Sequence, residues 1–235
     1  MGPPIAELPR HREINTPDYW NTRIAPRIQQ LPPEDQADIE CAYRIAYSAH
    51  RDQLRASGEP VISHPVAVTE ILLDVGVTDP VVLAGALLHD VMEDTNLGSD
   101  SNSSSYGYAK LRLVFNGSNE IAQITSDLSA PDFTKLQISK EKADEMYHAF
   151  IPDMSVNELL IKMADRIHNI QTLHAIPWIK RSEKVTETET HYMLTFRGLA
   201  RVNLQARKLL KLLEKSMSIA KKGLSPTPID TNVIV

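Results

Sequence analysis

The sequence predicts an all-α protein, on three observations. Apolar residues recur at three- and four-residue spacing through most of the chain. No segment alternates apolar and polar residues as a half-buried strand would, and no internal repeat is present. Turn signals such as "SGEP" at 57–60 and "VGVTDP" at 75–80 cut the periodic text into helix-sized pieces.

The elements follow in order. Residues 1–34 hold Pro3, Pro4, Pro9, Pro17, Pro26, Pro32 and Pro33 and are expected to wrap on or trail from the domain, with one short helix around 19–30. From Asp35 the pattern is helical, with Ala42, Ile45, Ala46 and Ala49 on one stripe up to the turn at "SGEP". "HPVAVTEILLDVG" gives a second helix through Val68, Ile71, Leu72 and Val75, closed by Gly76. "TDPVVLAGALLHDVMEDT" reads as one third helix, with Thr78 or Asp79 as N-cap and Pro80 in the first turn, where a missing N–H costs little. "NLGSDSNSSSYG", about 96–107, reads as a surface loop insertion. Helices are then expected at 108–115, 118–128 and 132–150. Ser155 and Glu158 stand in capping-box spacing and open a helix with Leu159, Leu160, Met163, Ala164 and Ile167 along one stripe. A long helix is expected over 187–215, which closes a domain of residues 35–215, and 216–235 form a peripheral tail.

Composition narrows the function classes. The chain has 235 residues, 42% apolar, enough for one substantial core. A formal charge of −5 argues against a nucleic-acid partner, so an anionic substrate must be met locally, by a metal or a few arginines. The single cysteine, Cys41, lies in an apolar-periodic segment and is expected to be structural, in a reducing compartment. No apolar run reaches the ~20 residues of a membrane span, and "MGPPIAELPRHREIN" lacks a signal peptide's apolar region. These features predict a cytoplasmic protein without membrane or nucleic-acid partners.

One stretch does not suit a core helix. "GALLHDVMEDT" passes from small apolar residues directly to His89, Asp90, Glu93 and Asp94. Glu93 lies four residues after His89 and three after Asp90, so it shares their face of a helix. A second helix carries Asp165, Asn169 and Thr172 as a polar stripe, and His64 enters from the turn before the second helix. Imidazoles and carboxylates brought together from these helices would form a mixed N/O set that suits Mn²⁺, Fe²⁺ or Zn²⁺.

The order His64, His89-Asp90, Asp165 resembles the metal signature of HD-superfamily phosphohydrolases. "RASGEPVISHPVAV", "AGALLHDVMEDT" and "IKMADRIHNIQTL" resemble more specifically the hydrolase domain of RelA/SpoT homologues, over residues 39–173. That resemblance implies removal of pyrophosphate from the 3′ position of guanosine 3′,5′-bis(diphosphate), ppGpp. It implies one Mn²⁺ held by His64, His89, Asp90 and Asp165. Glu93 and Asp94 match the acidic pair that orients and deprotonates the attacking water. Arg55 matches the arginine packed on the guanine, with Ser57 in the same turn, and Asn169 and Thr172 match positions near the ribose and phosphates.

The sequence departs from the family at two points near the base. Ala56 stands where a basic residue usually follows the base-stacking arginine, and Val61 where an aromatic precedes the isoleucine. Residues 96–157 also fit the family poorly. A second reading is therefore another nucleotide phosphohydrolase, such as an NADPH 2′-phosphatase, and a third is an inactive alarmone-binding module. Arg44, Arg51 and Arg55 are spaced as one helical face, for which an exposed basic face is the plainer account of Arg44 and Arg51. Lys162 and Arg166 are expected to make structural ion pairs, and His50 and His168 to pack or to support the ligands.

Overall fold

A computed structural model describes residues 16–94, 104–115, 119–129 and 137–223, with backbone only for 93, 94 and 104–107. It is all-α: among the described residues the one β feature is an isolated bridge between Leu54 and Pro60.

The segment before the first long helix is wrapped onto the domain. A wide turn over Trp20–Ile24 and a tight one over Ala25–Arg27 replace the short regular helix expected there. Pro26 supplies no N–H to a continuing α ladder. Ile24 and Ile28 are nonetheless fully buried, each contributing about 1.5–3 kcal/mol of apolar burial. Arg23 Nε donates to Glu70 at 2.9 Å and Arg27 pairs with Asp74 at 2.6 Å, which fastens the segment to the next helix but one.

Helix α1, Pro33–Ala49, begins with Glu34 and Asp35 in its first turn, where acids complement the exposed N–H groups, and buries Ile39, Ala42, Tyr43 and Ala46. The chain then turns through Asp52, held at φ +67°. Arg51 and Arg55 thus lie beyond the helix, and the predicted stripe of Arg44, Arg51 and Arg55 does not form. α2 is Ser63–Asp74, closed by Gly76 at φ +88°, a left-handed position that favours glycine.

α3, Pro80–Leu88, starts on Asp79, whose carboxylate accepts from Val81 N at 2.9 Å. Every residue from Val82 to Leu88 is buried, which is why this helix shows no polar face. At Gly85 a Cβ would stand 2.7 Å from Ile124 Cγ2 and 3.1 Å from Ile161 Cδ1, so only glycine lets α3 approach its neighbours. The expected single helix through residue 95 is interrupted. His89 Nδ1 donates to the Ala86 carbonyl at 2.8 Å, the acceptor a continuing ladder would need for the next N–H. The chain turns at 89–90 and resumes as the short α4, Val91–Asp94.

α5 is Ser104–Val114, so the last serines of the expected loop already belong to a helix, while 95–103 lie outside the described residues. α6 is Asn119–Leu128, and α7, Lys140–Phe150, is capped by Ser139; the expected helix 132–150 starts later, and 132–136 lie outside the described residues. α8, Val156–Gln171, opens with the capping box of Ser155 and Glu158, both hydrogen bonds formed.

The predicted helix 187–215 is three pieces. α9, Trp178–Glu187, passes through a wide turn at Thr188–Tyr192 into α10, Met193–Val202. Asn203 is extended (φ −120°, ψ 126°), and its side chain accepts from Ala206 N at 2.8 Å, capping α11, Leu204–Gly223. An asparagine in mid-pattern has stopped one helix and started another. α11 also runs past residue 215, where the tail was expected to begin. α8 is the hub of the bundle, packed by α2, α3, α6, α10 and α11, with α1 lying on α3.

Candidate metal centre and adjoining cleft

Three elements deliver the converging side chains. His64 sits in the first turn of α2, His89 and Asp90 in the kink between α3 and α4, and Asp165 in the middle of the buried α8. His64, His89 and Asp165 are all under 5% exposed. His64 Nε2 lies 3.2 Å from His89 Nε2, 3.3 Å from Asp90 Oδ2 and 3.2 Å from Asp165 Oδ1. His89 Nε2 lies 3.1 Å from Asp90 Oδ1 and 3.8 Å from Asp165 Oδ1.

The proton placement of the imidazoles tests whether a cation belongs there. With Nδ1–H of His89 committed to the Ala86 carbonyl, its Nε2 is the nitrogen that faces the cluster. His64 Nδ1 is 2.7 Å from His168 Nδ1. Burial, together with the charges of His64 and Arg55, drives His168 down to about 3, so His168 is neutral and accepts. His64 therefore donates from Nδ1 and turns Nε2 inward. Two imidazole nitrogens and two carboxylate oxygens facing one point call for positive charge between them, a proton or a metal ion. His89, Asp90 and His64 offer ligand atoms within 4.8 Å of one another, and separations of 3.1–3.8 Å suit donors at ~2.0–2.2 Å from one ion. The donor set fits a divalent metal.

The same demand shows in the titration of the metal-free cluster. Burial opposes charge on His89, yet Asp90 and Asp165 raise it to about 9. Against burial, His89 and His64 hold Asp90 well below the usual carboxylate range, and hydrogen bonds from both imidazoles do the same to Asp165.

Asp165 is held from behind by side chains whose burial the sequence did not reveal. Arg166 Nε lies 3.5 Å and Lys162 Nζ 4.0 Å from Asp165 Oδ2, and both cations are buried. These are ion pairs without aligned hydrogen bonds: Arg166 Nε and Nη1 have no hydrogen-bond partner. Lys162 lies over the Tyr147 ring and Arg166 over the Tyr192 ring, and Arg166 reaches Glu187 at 3.1 Å. Asn169 Nδ2 donates to Asp165 Oδ1 at 2.6 Å. His168, expected to pack or to support the ligands, orients His64.

Asp90, a quarter exposed, opens the cluster onto a cleft of about 350 Å³. Arg55, Ser57, Asn169 and Thr172 all line this cleft, with Lys184 of α9, which carried no sequence motif. Arg55 projects from the tight turn after α1, where its N–H bonds the Glu59 carbonyl at 2.8 Å, and its guanidinium has no partner among the described residues. Ser57 Oγ lies 3.4 Å from Glu59, and the Thr172 hydroxyl donates to the His168 carbonyl at 2.9 Å. Glu93 and Asp94 end α4 beside the cluster in sequence, but their side chains lie outside the described residues. Arg44 pairs with Glu40 at 2.6 Å on the surface and does not line this cleft.

Comparison with known proteins agrees with this geometry. A family model described as an HD domain matches residues 42–201. The bifunctional (p)ppGpp synthase/hydrolase SpoT of Escherichia coli K12 is 38% identical over 164 residues, 68% of this chain and 22% of SpoT. A probable chloroplastic GTP diphosphokinase of Arabidopsis thaliana is 35% identical over 155 residues, 66% of this chain and 21% of that protein. The chain thus spans about a fifth of the length of these curated relatives. A solved structure of a metazoan orthologue of SpoT that hydrolyses ppGpp superposes with a TM-score of 0.62, covering 80% of this chain and 97% of that one at 22% identity, a likeness of fold. This chain belongs to the HD-domain family, and its matched region aligns with the RelA/SpoT homologues.

Proposed function

We propose that the chain hydrolyses the 3′-pyrophosphate of ppGpp and its 5′-triphosphate form, giving GDP or GTP and pyrophosphate. One observation carries the reading: the cluster of His64, His89, Asp90 and Asp165 opens through Asp90 onto a cleft lined by two cations, Arg55 and Lys184. A base with two anionic arms calls for that combination of a cationic stacking platform, a second cation and a metal.

His64, His89, Asp90 and Asp165 would hold the ion. A bound divalent ion lowers the pKa of water and offsets charge on a phosphoryl oxygen. We take it to be Mn²⁺, since a mixed N/O set suits it and the family resemblance favours it. Glu93 would accept the proton of the attacking water and Asp94 would orient that water. Lys162 and Arg166 keep Asp165 ionised and fixed by one oxygen, while Asn169 fixes the other. Arg55 would stack on the guanine, its planar guanidinium still able to fork hydrogen bonds to phosphate. Ser57 would bond the base edge, Thr172 would line the ribose side, and Lys184 would neutralise the phosphates remote from the metal. No described helix is long and apolar enough to cross a membrane, and a cytoplasmic site of action follows from the soluble substrate and the lone cysteine.

The test offers ppGpp and NADPH in equal amounts to Mn²⁺-reconstituted protein and separates the products by anion exchange, with His89→Ala/Asp90→Ala alongside. GDP and pyrophosphate, absent with the variant, are expected. Phosphate released from NADPH alone would replace the substrate and keep the chemistry, and silence on both would sink the reading.

A further inference from the structure

A cavity larger than the cleft beside the metal cluster lies elsewhere on the molecule. It is a groove of about 520 Å³ on the other side of the α8 C-terminus, between that end, the start of α9 and the outer face of α11. Ile170, Leu173, Leu212 and Ile219 give it apolar walls, Arg181 and Lys215 stand at its edge, and no aspartate or glutamate lines it among the described residues.

α11 continues that character along its length. Leu209, Leu213 and Met217 face the core, while Lys208, Lys211, Leu212, Lys215, Ile219 and Lys222 fall on the opposite stripe. Leu204 and Ile219 are 58% and 63% exposed. Lys211, Lys215 and Lys222 have no hydrogen-bond or ion-pair partner among the described residues. The one acid of this helix, Glu214, is taken by Arg197 at 3.3 Å. Residues 193–223 carry eight arginines and lysines against that single glutamate, in a chain whose formal charge is −5. Eight of the chain's 25 basic residues thus fall on this hairpin, interleaved with aliphatic groups.

We propose that the groove beside α11 docks an amphipathic helix of a partner protein, with aliphatic residues on one stripe and aspartates or glutamates flanking it. The aliphatic groups of such a helix would fill the groove against Ile170, Leu212 and Ile219, and its acids would meet Lys211, Lys215 and Lys222. The exposed stripe from Leu204 to Lys222 runs about 27 Å, the length of a partner helix of about five turns. A recessed groove suits a helix better than a flat lipid surface, and the aliphatic interruptions suit nucleic acid poorly.

The test is fluorescence anisotropy on the full chain, using a labelled designed helix of about 18 residues with leucines on one stripe and glutamates flanking it. Its counterpart carries lysines in place of the glutamates, and phosphatidylcholine–phosphatidylserine vesicles form a separate arm. Saturable binding of the acidic helix alone is expected, weakened about tenfold or more by Lys211→Glu/Lys215→Glu and by Ile219→Asp. These surface variants should keep their circular dichroism and their hydrolytic rate, because none lines the catalytic cleft. Equal binding of both helices, or binding indifferent to the variants, overturns the proposal. Vesicle binding without helix binding would assign the face to a membrane instead, and helix binding only after removal of residues 224–235 would assign the groove to the chain itself. The binding readout needs no catalysis, so it stands or falls apart from the proposed hydrolysis.

Discussion

The metal cluster and the cleft rim adjoin at Asp90 and are built on opposite principles. In the cluster most polar groups are buried and held by another: His89 by Ala86, His64 by His168, Asp165 by Asn169, Lys162 and Arg166. At the rim the groups that would meet a nucleotide are exposed or half-exposed, and the Arg55 guanidinium has no partner among the described residues. Burial makes the cluster rigid and selective for charge, whereas exposure leaves the rim free to exchange one substrate for another. Chemistry is fixed in the first region and specificity is adjustable in the second.

The largest expected effect breaks the cluster. Asp165→Asn leaves Lys162 and Arg166 buried without a full counter-charge, a loss of about 3–5 kcal/mol of stability. Metal stoichiometry and hydrolysis should both fall to background; elemental analysis and chemical denaturation check it, and retained metal at full stability would mean the cluster is not held as described.

The next sharpens it through protons. His89 is raised to about 9, so the metal-free fold draws stability from that proton below the ordinary value of 6.5 and loses it as pH rises through about 9. Metal must displace the same proton, so the apparent affinity should fall about tenfold for each pH unit below 9. Calorimetric titration at several pH values measures this, and a flat profile would show that the proton sits elsewhere.

At the rim, Arg55→Ala should raise KM about tenfold, worth about 1.4 kcal/mol, and leave kcat within about twofold. Lysine should not restore it, because a point charge cannot stack as a planar guanidinium does. A matched loss of kcat would place Arg55 in the cluster's half of the comparison. Smallest of all, Arg44→Ala should change stability by less than about 0.5 kcal/mol and the kinetics not at all, as its ion pair with Glu40 is on the surface. Steady-state assays of both arginine variants settle these two.

The two regions also differed in how far the sequence exposed them. His64, His89, Asp90 and Asp165 stand in short contiguous motifs on helix ends and stripes, and the structure brings all four together. Arg55, Ser57, Asn169 and Thr172 were legible through the family motifs and share one cleft. Lys184 was not, because a lone lysine on an amphipathic helix looks like any solvated charge until a fold turns it toward a cavity. The burial of Lys162 and Arg166 was hidden for a similar reason: spacing marks them as a pair, while only packing against Tyr147 and Tyr192 removes them from water. Helix breaks at His89 and Asn203 were missed where a side chain competes for a backbone partner, which periodicity does not register.

By itself, the sequence determined the helical class, the capping box at Ser155, an N-cap at Thr78 or Asp79 and the apolar stripes, all of which depend on neighbours within a turn or two; His64, His89, Asp90 and Asp165 were singled out through the family resemblance. Only the tertiary structure decided which imidazole nitrogen faces inward, which cations support Asp165, and that Arg181 and Lys215 meet at an apolar groove beside α11. Those outcomes depend on groups distant in sequence meeting in a low-dielectric interior, where burial and pairing set the charge each one carries.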